Sequence, residues 1–154
     1  MAKPINRDIY ARVEWHLHHQ ALLREEIRTY RADVLHASPG TDWERPSVSH
    51  VGMVTDIVSR KAFKLMDAPP AVRRACKWLR VAADARRYFT GKREGRLFVL
   101  YYGQTASIDL VAAALGTNRR GVERLRDNVV YRCAMGAAAK GLITLDDGEG
   151  GENE

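Results

Sequence analysis

The chain has 154 residues and a formal net charge of +6, and its length suffices for one domain with a hydrophobic core. No apolar run approaches the roughly 18 residues that a membrane span requires, so we expect no membrane partner. The N-terminus lacks the apolar region of a secretory signal. Cys76 and Cys133 each lie within an apolar pattern, which indicates buried, reduced thiols and a cytoplasmic protein.

The first 36 residues predict one long amphipathic helix. There is no proline or glycine from Ile5 to His36, and apolar residues recur in steps of three and four. A helix of about 30 residues is roughly 45 Å long, which is longer than a compact body of this size needs. We therefore predict that residues 1–36 form a separate oligomerisation element. The predicted apolar stripe consists of Ile9, Val13, Leu17, Leu23, Ile27, Tyr30 and Val34.

Residues 37–52 are dense in Pro, Gly, Ser and Asp, and this composition predicts a linker in which Trp43 is a local packing residue. A helix is predicted from Met53 to Met66. The pair Pro69-Pro70 suits the first turn of another helix, because a missing N–H costs nothing there. The predicted inward residues of that basic helix are Val72, Ala75, Cys76, Leu79 and Ala83.

The next segment, Thr90–Gly95, predicts a polar turn. The apolar run Arg96–Gly103 is compatible with a strand or a helix, and we favour a short buried helix because no partner strand is evident. The sequence thus predicts an all-α fold, with a helical domain over residues 53–143. Residues 144–154 are acidic and rich in glycine, which predicts a disordered tail.

The stretch LVAAALGTNRRGVERLRD (Leu110–Asp127) joins an alanine-rich segment to an arginine-rich one. Gly116 supplies a positive φ that ends the first helix, and Thr117 or Asn118 can cap the second. This pattern predicts a helix-turn-helix at about residues 108–127. Its inner residues are Ile108, Val111, Ala112, Leu115, Val122 and Leu125, and its outer residues are Asn118, Arg119, Arg120, Glu123, Arg124 and Asp127.

The charge around this element favours nucleic acid. Residues 68–132 contain fourteen Lys or Arg and five acids, a net charge of +9, whereas residues 1–67 carry +1. Arginine can bind guanine through two parallel bonds, asparagine can do the same for adenine, and Glu123 can accept from cytosine or orient an arginine. The candidate DNA-binding residues are Thr117, Asn118, Arg119, Arg120, Glu123 and Arg124, with Arg73, Arg74, Lys77, Arg86, Arg87, Lys92 and Arg93 as phosphate contacts. The alternative is a helical hairpin with a solvated charged face.

The pattern LFVLYYGQTASIDLVAAALGTNRRGVERLRDNVVYRCA resembles region 4 of sigma factors, in which an apolar helix precedes a helix-turn-helix. The order of segments from Ile5 to Ile143 further resembles the phage late-gene transcriptional regulators of the ArpU and RinA type. Thr117 and Gly121-Val122 stand where that family often has Ser and a Thr-Val step. The resemblance implies promoter binding in a phage or prophage context, in the cytoplasm of a bacterial host, with RNA polymerase as a further partner.

The sequence therefore predicts a DNA-binding transcriptional regulator that acts on double-stranded DNA as a homo-oligomer. Two alternatives stay open: a small terminase-like protein that recognises DNA for packaging, and a helical interaction protein that does not bind DNA. We expect no enzymatic activity and no cofactor, because the sequence has neither a phosphate-binding glycine loop nor a nucleophile elbow. The run His16–His19 contains three histidines, but we expect no metal site because only Glu14 accompanies them.

Overall fold

A computed structural model describes residues 5–36 and 68–145. All regular secondary structure within these residues is helical, which confirms the all-α fold class. The helices are α1 (Arg7–His18), α2 (Gln20–His36), α3 (Pro70–Tyr88), α4 (Arg93–Leu97), α5 (Ile108–Leu115) and α6 (Arg119–Ala139), with a π-helical segment (Phe98–Gly103) after α4. The predicted linker with Trp43, the helix predicted from Met53 to Met66 and the acidic tail from residue 146 lie outside the described residues.

The chain divides into two compact units that do not follow the predicted boundary at residue 36. Among the described residues, the first unit combines 5–20 with 77–145, and the second combines 21–36 with 68–76. Helix α1 therefore belongs with α4, α5 and α6, and it packs directly against α6. The prediction that residues 1–36 form one separate element differs from this arrangement.

The predicted long N-terminal helix is interrupted at His19. Its backbone leaves the helical region (φ −106°, ψ 27°), so α1 ends at His18 and α2 begins at Gln20. The physical reason lies in two polar side chains. His19 Nδ1 lies 2.6 Å from the Trp15 carbonyl oxygen, and Gln20 Nε2 donates to the Leu17 carbonyl at 2.9 Å. Side chains that bind backbone groups in this way compete with continuation of a helix.

The predicted apolar stripe is largely buried in spite of this interruption. Ile9, Val13 and Leu17 of α1 are buried, as are Leu23 and Ile27 of α2. Tyr30 and Val34, which complete the predicted stripe, are only half-buried. The apolar steps of three and four therefore identified the inner face of α1 correctly, even though α1 and α2 do not form one continuous helix.

The predicted inner face of α3 is wrong in three of its five positions. Cys76 and Ala83 are exposed and Leu79 is half-buried, although Val72 and Ala75 are buried as expected. Trp78 is 5% exposed, and its large apolar surface determines which side of the helix faces inward. From Ala75 onward the buried positions of this segment are Trp78, Val81, Ala82, Ala85 and Phe89.

Helix α6 is the central element of the first unit, because α1, α4 and α5 all pack against it. Its inner face is completely excluded from solvent and consists of small or branched side chains. Full burial of one such valine stabilises the fold by about 1.5–3 kcal/mol relative to exposure. These inner residues are Val122, Val129, Val130, Cys133, Ala134 and Ala137. No described helix is long and apolar enough to cross a membrane.

Candidate functional site

The predicted glycine turn between α5 and α6 is confirmed. Gly116 has a φ of 64° and a ψ of 37°, the left-handed conformation that ends many helices. The Thr117 N–H donates to the Ala112 carbonyl at 2.9 Å, and the Gly116 N–H donates to the Ala113 carbonyl at 3.2 Å. A Cβ atom at Gly116 would have no neighbour within 4 Å, so the backbone conformation alone requires glycine here.

The residue that caps α6 is Asn118. Its Oδ1 accepts a hydrogen bond from the Gly121 N–H at 2.8 Å, so the structure selects Asn118 over Thr117, which the sequence left open. Thr117 is half-buried instead, and its Oγ1 lies where a Cβ atom of residue 121 would be. Glycine at position 121 therefore accommodates the Thr117 side chain, which explains a residue that is otherwise unfavourable inside a helix.

The cap also changes what Asn118 can do in recognition. A bidentate contact with adenine needs both the oxygen and the nitrogen of the carboxamide. Oδ1 already accepts from the Gly121 N–H, but its second lone pair and the Nδ2 donor stay available. The cap therefore fixes the orientation in which Asn118 can meet a base.

The outward face of α6 begins with a cluster of exposed charged side chains. Arg119, Arg120, Glu123 and Arg124 are all exposed, and within residues 5–36 and 68–145 none of them has an ion-pair partner within 4 Å. Val122 is fully buried and fixes the opposite face of the helix. Leu125, the second predicted inward residue, is only half-buried.

Asp127, which was predicted as a further outer residue, contacts α1. It is exposed, but its Oδ1 accepts a hydrogen bond from the Tyr10 hydroxyl at 2.9 Å. Burial raises the pKa of Tyr10, and this hydrogen bond raises it further, so the hydroxyl stays protonated and donates. Asp127 therefore connects α6 to α1 instead of adding to the free charged surface.

A second polar contact connects the same two helices one turn further along α1. Glu14 Oε1 accepts from Arg126 Nε at 3.0 Å, from Arg126 Nη2 at 2.6 Å and from the Tyr102 hydroxyl at 2.9 Å. Burial raises the pKa of Tyr102, as does the neighbouring Glu14. Burial alone would lower the pKa of Arg126, but the bond to Glu14 outweighs it and the pKa is raised. The guanidinium thus stays charged and paired.

Sequence reasoning missed this polar cluster of Tyr10, Glu14, Tyr102, Arg126 and Asp127. The partners Glu14 and Arg126 are 112 residues apart, so no local spacing pattern relates them. The Tyr101 ring adds to the cluster, because its centroid lies 5.1 Å from the Arg126 guanidinium carbon. The cluster fixes α1 against α6.

The predicted phosphate-contact residues at the end of α3 and in the following turn are exposed, as that role requires. Arg86, Arg87, Lys92 and Arg93 all project from the first unit. Next to Arg93, Glu94 accepts a hydrogen bond from Asn128 Nδ2 at 3.3 Å, which connects α4 to α6. Arg73, Arg74 and Lys77 are also exposed, but Arg73 and Arg74 belong to the second unit.

A cavity of about 390 Å³ lies beside this turn, within the first unit. Three basic side chains line it, and one of them, Arg96, is absent from the residues that the sequence singled out. The sequence showed that the segment around Arg96 is basic. Arg96 also begins the apolar run Arg96–Gly103, however, and this position suggested a packing role. The lining residues are Arg86, Thr90, Gly91, Lys92, Gly95, Arg96, Val99 and Leu100.

The three histidines at the end of α1 and in the break after it contact aromatic rings. His16 stacks on Trp78 with ring centroids 3.9 Å apart, and His19 stacks on Trp15 at 4.2 Å. His18 lies 4.8 Å from the Tyr102 ring. Within the part of the chain that the structure describes, no group of three His, Cys, Asp or Glu residues is arranged to hold a metal ion.

The site as a whole is an exposed helix face that offers guanidinium donors and positive charge next to a rigid turn. Such groups can pair with anionic oxygens and with the acceptor edges of bases. The chain matches no protein-family model, no curated protein and no solved structure.

Proposed function

We propose that the protein is a transcriptional regulator that binds double-stranded DNA in a sequence-specific manner. In this proposal α5 and α6 act as a helix-turn-helix and α6 is the recognition helix. The observation that carries it is the left-handed turn at Gly116, which is followed by a capped helix. The first two turns of that helix hold three arginines that have no ion-pair partner among residues 5–36 and 68–145. A recognition helix uses its N-terminal residues to contact base edges in the major groove.

Each exposed residue has a role in this proposal. Arg119, Arg120 and Arg124 read bases or bind phosphate, since a guanidinium can form two bonds with guanine. Glu123 accepts from a cytosine amine or orients a neighbouring arginine. Thr117 and Asn118 lie at the helix N-terminus, where free N–H groups favour a phosphate. The predicted phosphate contacts of the first unit bind phosphate and set the register of the protein on the duplex; they are Lys77, Arg86, Arg87, Lys92 and Arg93.

The proposed biological setting rests on the resemblance of residues 97–125 to sigma region 4 and to phage late-gene regulators. It comprises promoter binding in a phage or prophage, RNA polymerase as a second partner and the cytoplasm of a bacterial host. The polar cluster uses α1 within the first unit, so we place the proposed homo-oligomer contact on α2. Leu22 of α2 is 55% exposed, which suits such a contact.

Selection of bound sequences from a random duplex pool tests this function. The wild-type protein is expected to enrich a motif. The variant Arg119→Gln/Arg124→Gln is expected to lose about tenfold or more in affinity for that motif, because each bidentate base contact contributes about 1–3 kcal/mol. The matched control is Arg7→Gln/Arg12→Gln, which removes the same charge from exposed positions of α1 in the same unit. Absence of an enriched motif, or equal losses in both variants, would contradict the proposal.

The enriched motif and the oligomer size together distinguish the alternatives. Light scattering on the same preparation gives the oligomer size. A two-fold dimer predicts two half-sites about one helical turn of DNA apart. A ring of many subunits together with an enriched motif would favour DNA packaging over promoter control.

A further inference from the structure

The cavity beside α4 gathers three cations from three different places in the chain. Arg86 comes from the last turn of α3, Lys92 from the connecting turn and Arg96 from α4. None of the lining residues that the structure describes is acidic. Its positive charge is therefore concentrated in a concave surface, which strengthens the local field for an anion.

None of these cations is neutralised within the described ranges 5–36 and 68–145, where no acid lies within 4 Å of their charged groups. Glu94, the acid in α4, accepts a hydrogen bond from Asn128. The Lys92 ammonium lies 4.5 Å from the centroid of the Tyr88 ring, which restrains it without cancelling its charge. The cavity thus has three positive charges that no acid of the described residues pairs with.

The turn that forms the cavity has a defined shape. The Lys92 N–H donates to the Phe89 carbonyl at 2.9 Å, and the backbone of Gly95 packs so closely against that same carbonyl that a Cβ atom would collide with it. Gly91 has a φ of 80° and nothing within 4 Å of the place where a Cβ would lie. Its backbone is therefore open to a ligand.

We infer that this cavity binds one phosphate group together with the sugar attached to it. Arg86, Lys92 and Arg96 contact the phosphate oxygens, and Val99 and Leu100 provide an apolar wall for the sugar carbons. A volume of about 390 Å³ lies at the lower end of the roughly 300–1,000 Å³ typical of ligand sites. The source of the phosphate is the DNA backbone if the proposed function holds, or a free nucleotide. The inference rests on the proposed function for the first source only.

The first experiment measures how DNA affinity depends on salt. The variant Arg86→Gln/Arg96→Gln retains Lys92 and its contact with Tyr88, and the control Arg7→Gln/Arg12→Gln removes the same charge from exposed positions of α1. Loss of one phosphate contact makes the slope of log K against log salt less negative by about 0.9. We expect this change in the cavity variant and not in the control. The enriched DNA motif should stay the same, because a phosphate contact carries no base information.

The second experiment titrates the ¹⁵N-labelled wild-type protein with a deoxynucleoside 5′-monophosphate and with inorganic phosphate, and follows the Gly91 amide signal by NMR. A saturable shift that is absent in Arg86→Gln/Arg96→Gln supports the site. If the shift saturates and the salt slope is unchanged, the ligand is a free nucleotide. If neither changes, the inference is wrong. A wild-type protein that binds no DNA would refute the proposed function, and the titration would then decide the cavity alone.

Discussion

Arg126 Nε lies 3.0 Å from Glu14 Oε1, although 112 residues separate the two side chains in the sequence. They are 18% and 17% exposed, so water provides little compensation if one partner is removed. We expect Glu14→Ala to lower the free energy of unfolding by about 3 kcal/mol, because it leaves the charge of Arg126 and the hydroxyl of Tyr102 unpaired. Urea denaturation followed by circular dichroism measures this change.

The matched control for Glu14→Ala is Glu25→Ala. Glu25 pairs with Arg28 at 3.3 Å, but both side chains are more than half exposed. An exposed pair of this kind contributes about 0–1 kcal/mol. Similar losses in the two variants would mean that the contact between α1 and α6 adds nothing beyond a surface ion pair.

Gly116 and Gly136 should respond oppositely to replacement by alanine. Gly116→Ala is expected to destabilise the protein by about 1 kcal/mol, because the φ of 64° is unfavourable for a residue with a Cβ atom. Gly136 lies inside α6, and an added Cβ would be 3.6 Å from Val81 Cγ1, an ordinary contact distance. Gly136→Ala should therefore stabilise the protein by about 0.5–1 kcal/mol. Thermal unfolding of both variants checks the signs, and a stabilising Gly116→Ala would refute the left-handed turn.

Substitutions at Asn118 separate helix capping from DNA binding. Asn118→Ala removes the 2.8 Å bond to the Gly121 N–H and should cost about 1 kcal/mol of stability. Asn118→Asp retains a capping oxygen and should match the stability of the wild type. It also places a negative charge where we propose that DNA phosphates lie, so its DNA affinity should fall. Equal DNA affinity for Asn118→Asp and wild type would argue against that placement of DNA.

The two cysteines should differ in reactivity. Cys76 is exposed, whereas Cys133 is fully buried, and burial raises the pKa of its thiol to about 12. An aromatic disulfide reagent should therefore modify one thiol per native chain and two thiols per chain in denaturant. The variant Cys76→Ser should show no rapid reaction in the native state. Rapid modification of two thiols in the native wild type would contradict the buried position of Cys133.

Stability should decline as the pH falls below about 6.5. Burial lowers the pKa values of His16 and His18 from 6.5, so the unfolded chain binds protons before the folded chain does. The stabilisation is complete above that pH and is lost as the pH falls towards the pKa values of the folded state. His16→Phe should keep the stack on Trp78 and reduce the pH dependence. Denaturation at pH 7.5 and pH 5 measures it, and His36→Gln is the exposed control. An unchanged pH dependence in His16→Phe would contradict this account.

The features of the turn were predictable because they depend on neighbouring residues. A glycine after an apolar helix, followed by a residue that can cap the next helix, determines the conformation of Gly116 and the role of Asn118 without reference to the rest of the chain. The predictions that Val111, Leu115 and Val122 face inward also depend on the local pattern. They were correct, since all three are buried.

Other features depend on contacts that local patterns do not contain. The sequence of α3 has small apolar residues on more than one side, so periodicity alone did not show that Trp78 determines the buried face. The interruption at His19 arises from side chains that bind carbonyl groups of the preceding turn. The pairing of Glu14 with Arg126 and the convergence of Arg96 with Arg86 and Lys92 require the folded chain.

The position of α1 against α6 has a consequence for synthesis of the protein. The first unit is discontinuous, since residues 21–76 are inserted between its two parts. A ribosome makes Tyr10 and Glu14 long before Arg126 and Asp127, to which they bind. The contacts of α1 with α6 therefore form only after the synthesis of more than 100 intervening residues. A stalled or truncated chain that ends before α6 would expose the buried face of α1, and this would make it a target for chaperones or proteases.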